Sequence, residues 1–263
     1  MSERQASVTI KVGVSRMSVA FHQGAGITRL AHWPTPTADD SETFRAFFGS
    51  LWSDLSLKDL PAALVCVVPD LRRWVRASWR ERTGKEPIDF SFEDAPFHVA
   101  YRPPESLGAD RAACVWGVLA HFGETIGNSF VVADIGTHTV ATVCVSGELL
   151  GGGILPGLFL MQKSLGGGRV DQLRGKDVLR KELIRRAPVV GMTTEEGIFA
   201  GVVGGSVDAV LGLRRRAEET YKRSLPIVLT GGLSWLVTPL FPPRVLVNRQ
   251  LLHYGARSFL AGR

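Results

Sequence analysis

Along residues 7–21, "SVTIKVGVSRMSVAF", apolar and polar side chains alternate up to Gly13 and alternate again beyond it. Period-two alternation is the mark of a strand with one face in a core, so the stretch predicts strand, turn at Gly13, strand. "GAGITRLAHW" predicts the next strand of a meander. "DDSETFRAFFGSLWSDL" has an acidic start and apolar spacings of three and four, which predict a helix. "AALVCVVPD" is a short, fully apolar run of the buried-strand kind, closed by Pro69. "LRRWVRASWRERTG" predicts a helix ending at Gly84. "FHVAYRPPESLGADR" reads as a strand and a proline-bearing loop, and "RAACVWGVLAHFG" as an apolar helix stopped by Gly123.

The pattern then begins again. "VVADIGTHTVATVCV" (131–145) is a second strand–glycine–strand, followed by a glycine-rich return, "GELLGGGILPG". Helices are expected over "LFLMQKSL", "VLRKELIRRA" and "TTEEGIFAGVVGGSVDAVLGLRRRAEETYKR", the last broken near Gly204 and Gly205. "LPIVLTGG" is a buried strand entering a glycine turn, and "RVLVN" and "QLLHYGARSFLAG" predict a last strand and a helical tail. Lys11, Gly13 and Ser15 recur as Asp134, Gly136 and His138 at a constant offset, which points to an internal duplication. The expected architecture is α/β, with two similar domains at 1–122 and 123–263, mixed sheets and a ligand cleft between them.

Composition narrows this picture. The chain has 263 residues, 45% hydrophobic and 21% charged, which is enough for one large or two moderate cores. No apolar run reaches the roughly 18 residues of a membrane helix, and "MSERQAS" does not read as a secretory signal. Cys66, Cys114 and Cys144 each lie in an apolar run and suit buried, reduced thiols, so a cytoplasmic protein without a membrane partner is expected. The net charge of +6 gathers in "RRWVRASWRER", "LRGKDVLRKELIRR" and "LRRRAEETYKR". These read as solvated helix faces rather than a nucleic-acid track.

Three stretches could carry chemistry. In "ADIGTHT", Gly136 permits a tight turn whose amides can cradle phosphate, and Asp134 can hold a cation; a hairpin capped by its own Asp is the competing reading. In "LTGGLSW", Gly231 and Gly232 would let a flat ligand lie on bare backbone, or simply allow a helix to pack closely on a strand. In "YRPPESLGADR", Asp110 opens an apolar helix. It could be an N-cap, or a general base with Arg111 beside it to hold an anionic group.

Together these residues resemble the type III pantothenate kinases of the actin-like, sugar-kinase-like ATPase superfamily, whose domains are ribonuclease H-like. The resemblance implies that "GADR" carries the catalytic Asp110, with Gly108, Ala109 and Arg111 on the substrate. It places Tyr101 and Thr194 on the substrate as well, Thr194 from a partner subunit. It implies that "DIGT" binds ATP through Gly136 and Thr137 and a monovalent cation (K+ or NH4+) through Asp134. "LTGG" then meets the adenosine through Gly231 and Gly232, and "KVGVSR" meets the phosphates through Lys11, Gly13 and Ser15. The implied activity is ATP- and Mg2+-dependent phosphorylation of pantothenate, the first step of coenzyme A biosynthesis, by a homodimer.

"KVGVSR" departs from the family's Asp-x-Gly-Asn-Thr: Lys11 replaces the aspartate, Val14 the asparagine and Ser15 the threonine. A lysine there repels the metal by on the order of several kcal/mol at about 4 Å, unless Lys11 binds phosphate directly. This leaves a second reading, a catalytically impaired homologue that senses a ligand or regulates a partner. His138 reads as a turn residue rather than a catalyst.

Overall fold

The computed structural model describes residues 6–36, 41–51, 57, 60–166, 179 and 181–263. The chain divides into two units. The first holds Met1–His98, Arg102–Phe122 and Leu251–Arg263, and the second holds Val99–Tyr101 and Gly123–Gln250.

The first unit is built on a five-stranded sheet. Strands β1 (Ser7–Val12), β2 (Arg16–Gln23) and β3 (Gly26–Pro34) form an antiparallel meander. A helix, α1 (Ser41–Ser50), leads to β4 (Ala62–Cys66), which lies parallel to β1 on its other side. Helix α2 (Pro69–Thr83) then leads to β5 (Ile88–Asp89), giving the order β3-β2-β1-β4-β5. Alternation puts Val8, Ile10, Val12, Met17 and Val19 into one core with Phe44, Phe47 and Phe48 of α1 and Leu71, Val75 and Trp79 of α2. Burial of each such side chain contributes about 1.5–3 kcal/mol. Gly84 ends α2 in the left-handed conformation, φ 80°, as its position predicts. Part of the basic face of α2 is paired within the unit: Arg76 binds Glu86 and Asp89, and Arg80 binds Glu86.

The opposite face of the sheet carries Ser7, Thr9, Ser18 and His22, all buried. The last helix packs against β1 and β4. Expected with the second domain, this helix (Leu251–Ala261) instead belongs to the first unit. The reason is steric and polar. Its His253 reaches Thr9 and Ser18, and its backbone at Leu251 and Gly255 meets Gly117 and Ala113 of the helix Ala109–Ile126.

After β5 the chain continues through β6 (His98–Val99), a single 3-10 turn (Pro104–Ser106) and α3 (Ala109–Ile126). Helix α3 passes the expected stop at Gly123 and ends at Gly127, whose φ of 73° supplies the left-handed turn.

The second unit repeats the plan. Strands β7 (Phe130–Ile135), β8 (His138–Val145) and β9 (Glu148–Pro156) form the meander. The glycine-rich return is therefore a full strand, with Gly151 and Gly152 at φ 131° and 150°. Helices α4 (Leu158–Gly166), α5 (Lys181–Arg186), α6 (Thr194–Phe199) and α7 (Gly205–Tyr221) precede β10 (Ile227–Thr230). After β10 come α8 (Ser234–Val237), β11 (Leu246–Val247) and the final helix, α9. The sheet order is β11-β10-β7-β8-β9-β6, so its first five strands reproduce the order and directions of the first sheet.

No break separates α6 from α7; residues Ala200–Gly204 are wound as a π-helix and keep the helix continuous. The whole stretch Thr194–Tyr221 is long and apolar enough to cross a membrane by length and composition. Ile198, Phe199, Val202, Val203, Val207 and Val210 nevertheless pack into the core of the second unit. Part of the basic stretch at 173–186 and part of the helix expected over 39–55 lie outside the described residues.

Candidate functional site

The second unit gathers one group of candidate residues at the ends of β7 and β10. Asp134 pairs with Thr230 across the parallel ladder, so the turn after β10 runs directly beside the turn after β7. Gly231 has a φ of 92°, and a Cβ there would collide with the Asp134 Oδ1 and with the backbone of Ile135. The Leu233 amide donates to the Ile135 carbonyl at 3.0 Å, and the Ser234 hydroxyl donates to the Gly231 carbonyl at 2.9 Å. Bare backbone at Gly231 is thus what makes room for the carboxylate.

On the other side, Gly157 donates its amide to the Thr137 carbonyl at 3.0 Å. A side chain at Gly157 would strike the carbonyls of Gly136 and Thr137. Asp134 and Thr137 are half-buried and His138 is exposed. A carboxylate oxygen with backbone carbonyls close by suits a hard cation. Among the described residues, no three His, Cys, Asp or Glu side chains cluster as a metal site, and Asp134 is the acidic side chain of this turn.

The two substrate residues expected in this unit stand on other elements. Gly151 of β9 faces the Tyr101 ring, whose nearest atoms lie 3.3 and 3.5 Å from where a Cβ would be. Thr194 is exposed at the head of α6. The preceding Thr193 caps that helix, its hydroxyl accepting from the Glu196 amide at 3.2 Å. Buried Glu196 accepts from the Met192 amide at 2.9 Å and pairs with Arg186, which pins the loop before Thr194.

In the first unit, Gly108 precedes α3 and its carbonyl accepts from the Arg111 and Ala112 amides at 3.0 and 3.3 Å. Gly108 therefore takes the cap position, and Asp110 stands inside the first turn rather than at the N-cap. Its Oδ1 accepts from the Arg111 amide at 2.8 Å and lies where a side chain on Gly108 would go. Asp110 is half-buried, whereas Arg111 is buried.

The other expected phosphate residues lie near the end of β1 and on the β1–β2 turn. Lys11 is half-buried and its Cε passes 3.4 Å from where a Cβ on Gly13 would be. The ladder corrects the internal alignment. Gly13 donates to the Arg16 carbonyl as Gly136 donates to that of His138. Thr35 donates to Ser15 as Gly157 donates to Thr137. Ser15 is therefore the counterpart of Thr137, not of His138, and Val14 is an extra residue in the first turn. Lys11 and Asp134 remain counterparts. An ammonium donates only, so Lys11 is no ligand for a divalent metal. Sequence reasoning missed Gly157 and the buried pair Thr9–His253; the Pro–Thr and Pro–Gly steps after β3 and β9 are the signal that could have found the first.

Two sheets of the same order, each with a glycine turn at the end of its first strand, define an actin-like ATPase or sugar-kinase fold. Solved structures agree on the fold. The ethanolamine utilization protein EutJ from Carboxydothermus hydrogenoformans superposes with a TM-score of 0.60 at 13% identity, over 97% of this chain and 90% of that one. A ROK family glucokinase from Streptomyces griseus, in complex with glucose and AMPPNP, gives 0.51 at 12% identity, over 96% and 98%.

Sequence comparison is more specific. The profile described as type III pantothenate kinase matches residues 7–216. The type III pantothenate kinase of Roseiflexus castenholzii is 29% identical over 239 residues, 88% of each chain. That of Desulfatibacillum aliphaticivorans is 32% identical over 189 residues, 70% of this chain and 69% of its own. This chain belongs to the type III pantothenate kinase family. Membership implies a small-molecule substrate, ATP and a divalent metal.

Proposed function

We propose that this chain transfers the γ-phosphate of ATP to the primary hydroxyl of pantothenate, giving 4'-phosphopantothenate and ADP at the first step of coenzyme A biosynthesis. The observation that carries this reading is Asp110, half-buried in the first turn of α3 beside a bare Gly108, in a chain whose family match runs through both hairpins. Asp110 takes the hydroxyl proton as the oxygen bonds to the γ-phosphorus and the bond to the β–γ bridging oxygen breaks. Such transfer needs alignment and charge neutralisation more than covalent help. Lys11 supplies a point charge to the phosphate tail, aided by the amides near Gly13 and Ser15. Gly136 and Thr137 hold the tail from the second hairpin, and Gly231 and Gly232 receive the adenosine. Arg111 and Tyr101 orient pantothenate, with Gly108 and Ala109 lining its approach.

Asp134, with the backbone oxygens around it, fits a monovalent cation such as K+ or NH4+. A bound cation supplies positive charge against the phosphate oxygens. Lys11 gives magnesium no ligand on the first turn.

The chain works in the cytoplasm as a homodimer. Val189, Val190 and Met192 are 88%, 73% and 86% exposed, immediately before Thr194, and a second copy is the cover that would bury them and bring Thr194 to its substrate. Light scattering at the mass of one chain would remove that part of the reading.

The test is phosphopantothenate formation with ATP, magnesium and potassium. Asp110→Asn should lower kcat by about 10²–10⁴-fold with folding intact. A wild-type protein that binds pantothenate by calorimetry but never phosphorylates it would instead be a ligand sensor.

A further inference from the structure

The first unit holds a buried polar chain that the proposed chemistry does not use. His253 of α9 lies between two hydroxyls, with Thr9 Oγ1 2.7 Å from its Nδ1 and Ser18 Oγ 2.8 Å from its Nε2. Thr9 Oγ1 is also 2.9 Å from Nε2 of His22. Thr9 precedes Lys11 by two residues on β1, so their side chains share a face of the sheet. Ser18 is the ladder partner of Lys11 across the hairpin. His253 therefore grips both strands directly behind the Lys11–Gly13 turn.

The same helix is fixed to α3 without play. Gly117 of α3 has no room for a Cβ against the Leu251 carbonyl, and Gly255 has none against that of Ala113. Ala113 lies one turn beyond Asp110 on α3. Helix α9 is thus a rigid plate with the β1–β2 hairpin on one side and the Asp110 helix on the other.

The surroundings keep the imidazole neutral. Burial is the main cause, and His22 on β2, Lys11 on β1 and His32 on β3 add positive charge. Arg257, on α9 itself, does the same to His22. On the α3 side the plate meets His121, whose ring stacks at 4.8 Å on Tyr254. A neutral ring donates at one nitrogen and accepts at the other, which matches two hydroxyls; an imidazolium could only donate.

We infer that His253 is a positioning residue: through α9 it sets the Lys11–Gly13 turn in register with Asp110. This rests on the kinase reading. The test combines hydrogen exchange with kinetics on the full chain, using His253→Phe, His253→Gln and Thr9→Val, each first checked for a cooperative melt. In His253→Phe, the amides of Gly13 and of Arg111–Ala112 should exchange faster together. Its kcat should fall on the order of ten- to a hundredfold while KM for pantothenate stays within about threefold, because the alignment of the reacting groups is lost rather than binding.

His253→Gln, which can both donate and accept, should recover most of the kcat. If His253→Phe does not fold, Thr9→Val, which keeps the side-chain shape and removes one hydroxyl, is read in the same way. Unchanged exchange at both segments overturns the inference, as does a kcat equal to wild type. A wild-type protein that makes no phosphopantothenate overturns the kinase reading alone, and the exchange data still decide whether His253 couples the two segments.

Discussion

The two hairpins, β1–β2 and β7–β8, are the same device with opposite charge. Each ends its first strand at a glycine whose amide bonds across the turn, and each is tied down by the residue that follows a proline at the end of the third strand. One turn presents Lys11 and the extra Val14, 56% exposed. The other presents Asp134, packed between Gly136 and Gly231. The shared topology fixes where a phosphate-sized ligand could be met. The side chain two residues before the glycine decides whether the turn offers a fixed ammonium or a place for a cation. The packing differs as well: behind the first hairpin lies the buried His22–Thr9–His253–Ser18 chain, while His138 on the second is exposed.

The largest way to break the second turn is Gly231→Ala. Its Cβ would occupy the place of the Asp134 carboxylate, and φ is 92°. Stability should fall by about 3 kcal/mol or more, and nucleotide binding should go with it. A denaturant midpoint equal to wild type would contradict the geometry.

Acid should strike the first hairpin instead. Burial first, and then the charge of Arg257, lowers His22 to about 4 from an ordinary 6.5, and His253 is lowered too. The unfolded chain therefore takes up these protons first. The stabilisation is present above pH 6.5 and is lost as pH falls from there toward 4, by roughly 3 kcal/mol for His22 alone. Melting temperatures across that window check this, and His22→Gln should flatten the slope.

Exchanging the charge sharpens the contrast. Lys11→Asp should weaken ATP binding in chelator by about tenfold, roughly 1.4 kcal/mol, and make it depend on magnesium. Equal affinities of the two proteins in chelator would deny Lys11 its phosphate. The smallest effect is expected from deleting Val14, which brings the first turn to the length of the second. Stability should change by less than about 1 kcal/mol, because so small a change in loop length has little entropic weight.

Much of this was legible in the sequence. Alternation and a central glycine gave both strand–turn–strand hairpins and the third strand of the first meander, whereas Asp110 stands inside the first turn of α3 and not at its N-cap. The position of the extra residue was not, because a constant offset reads equally well until hydrogen bonds show which amide meets which carbonyl. The partner of the C-terminal helix was hidden as well. Its apolar spacing announces a buried face but not what buries it, and Gly117 and Gly255 reveal close packing only once two backbones meet. The glycine run at 151–153 read only as a glycine-rich return, because glycine weakens a strand; here Gly152 is held against the Ala141 carbonyl, where no other residue would fit.

The return of residues 251–263 to the first unit also orders the birth of the protein. A ribosome that has released everything up to residue 250 has delivered the whole of the second unit, which can fold during synthesis. The first unit must wait, its row of hydroxyls and His22 still uncovered, until residues 251–263 emerge from the exit tunnel. A nonsense codon at position 251 would therefore spare the half made later and ruin the half made first.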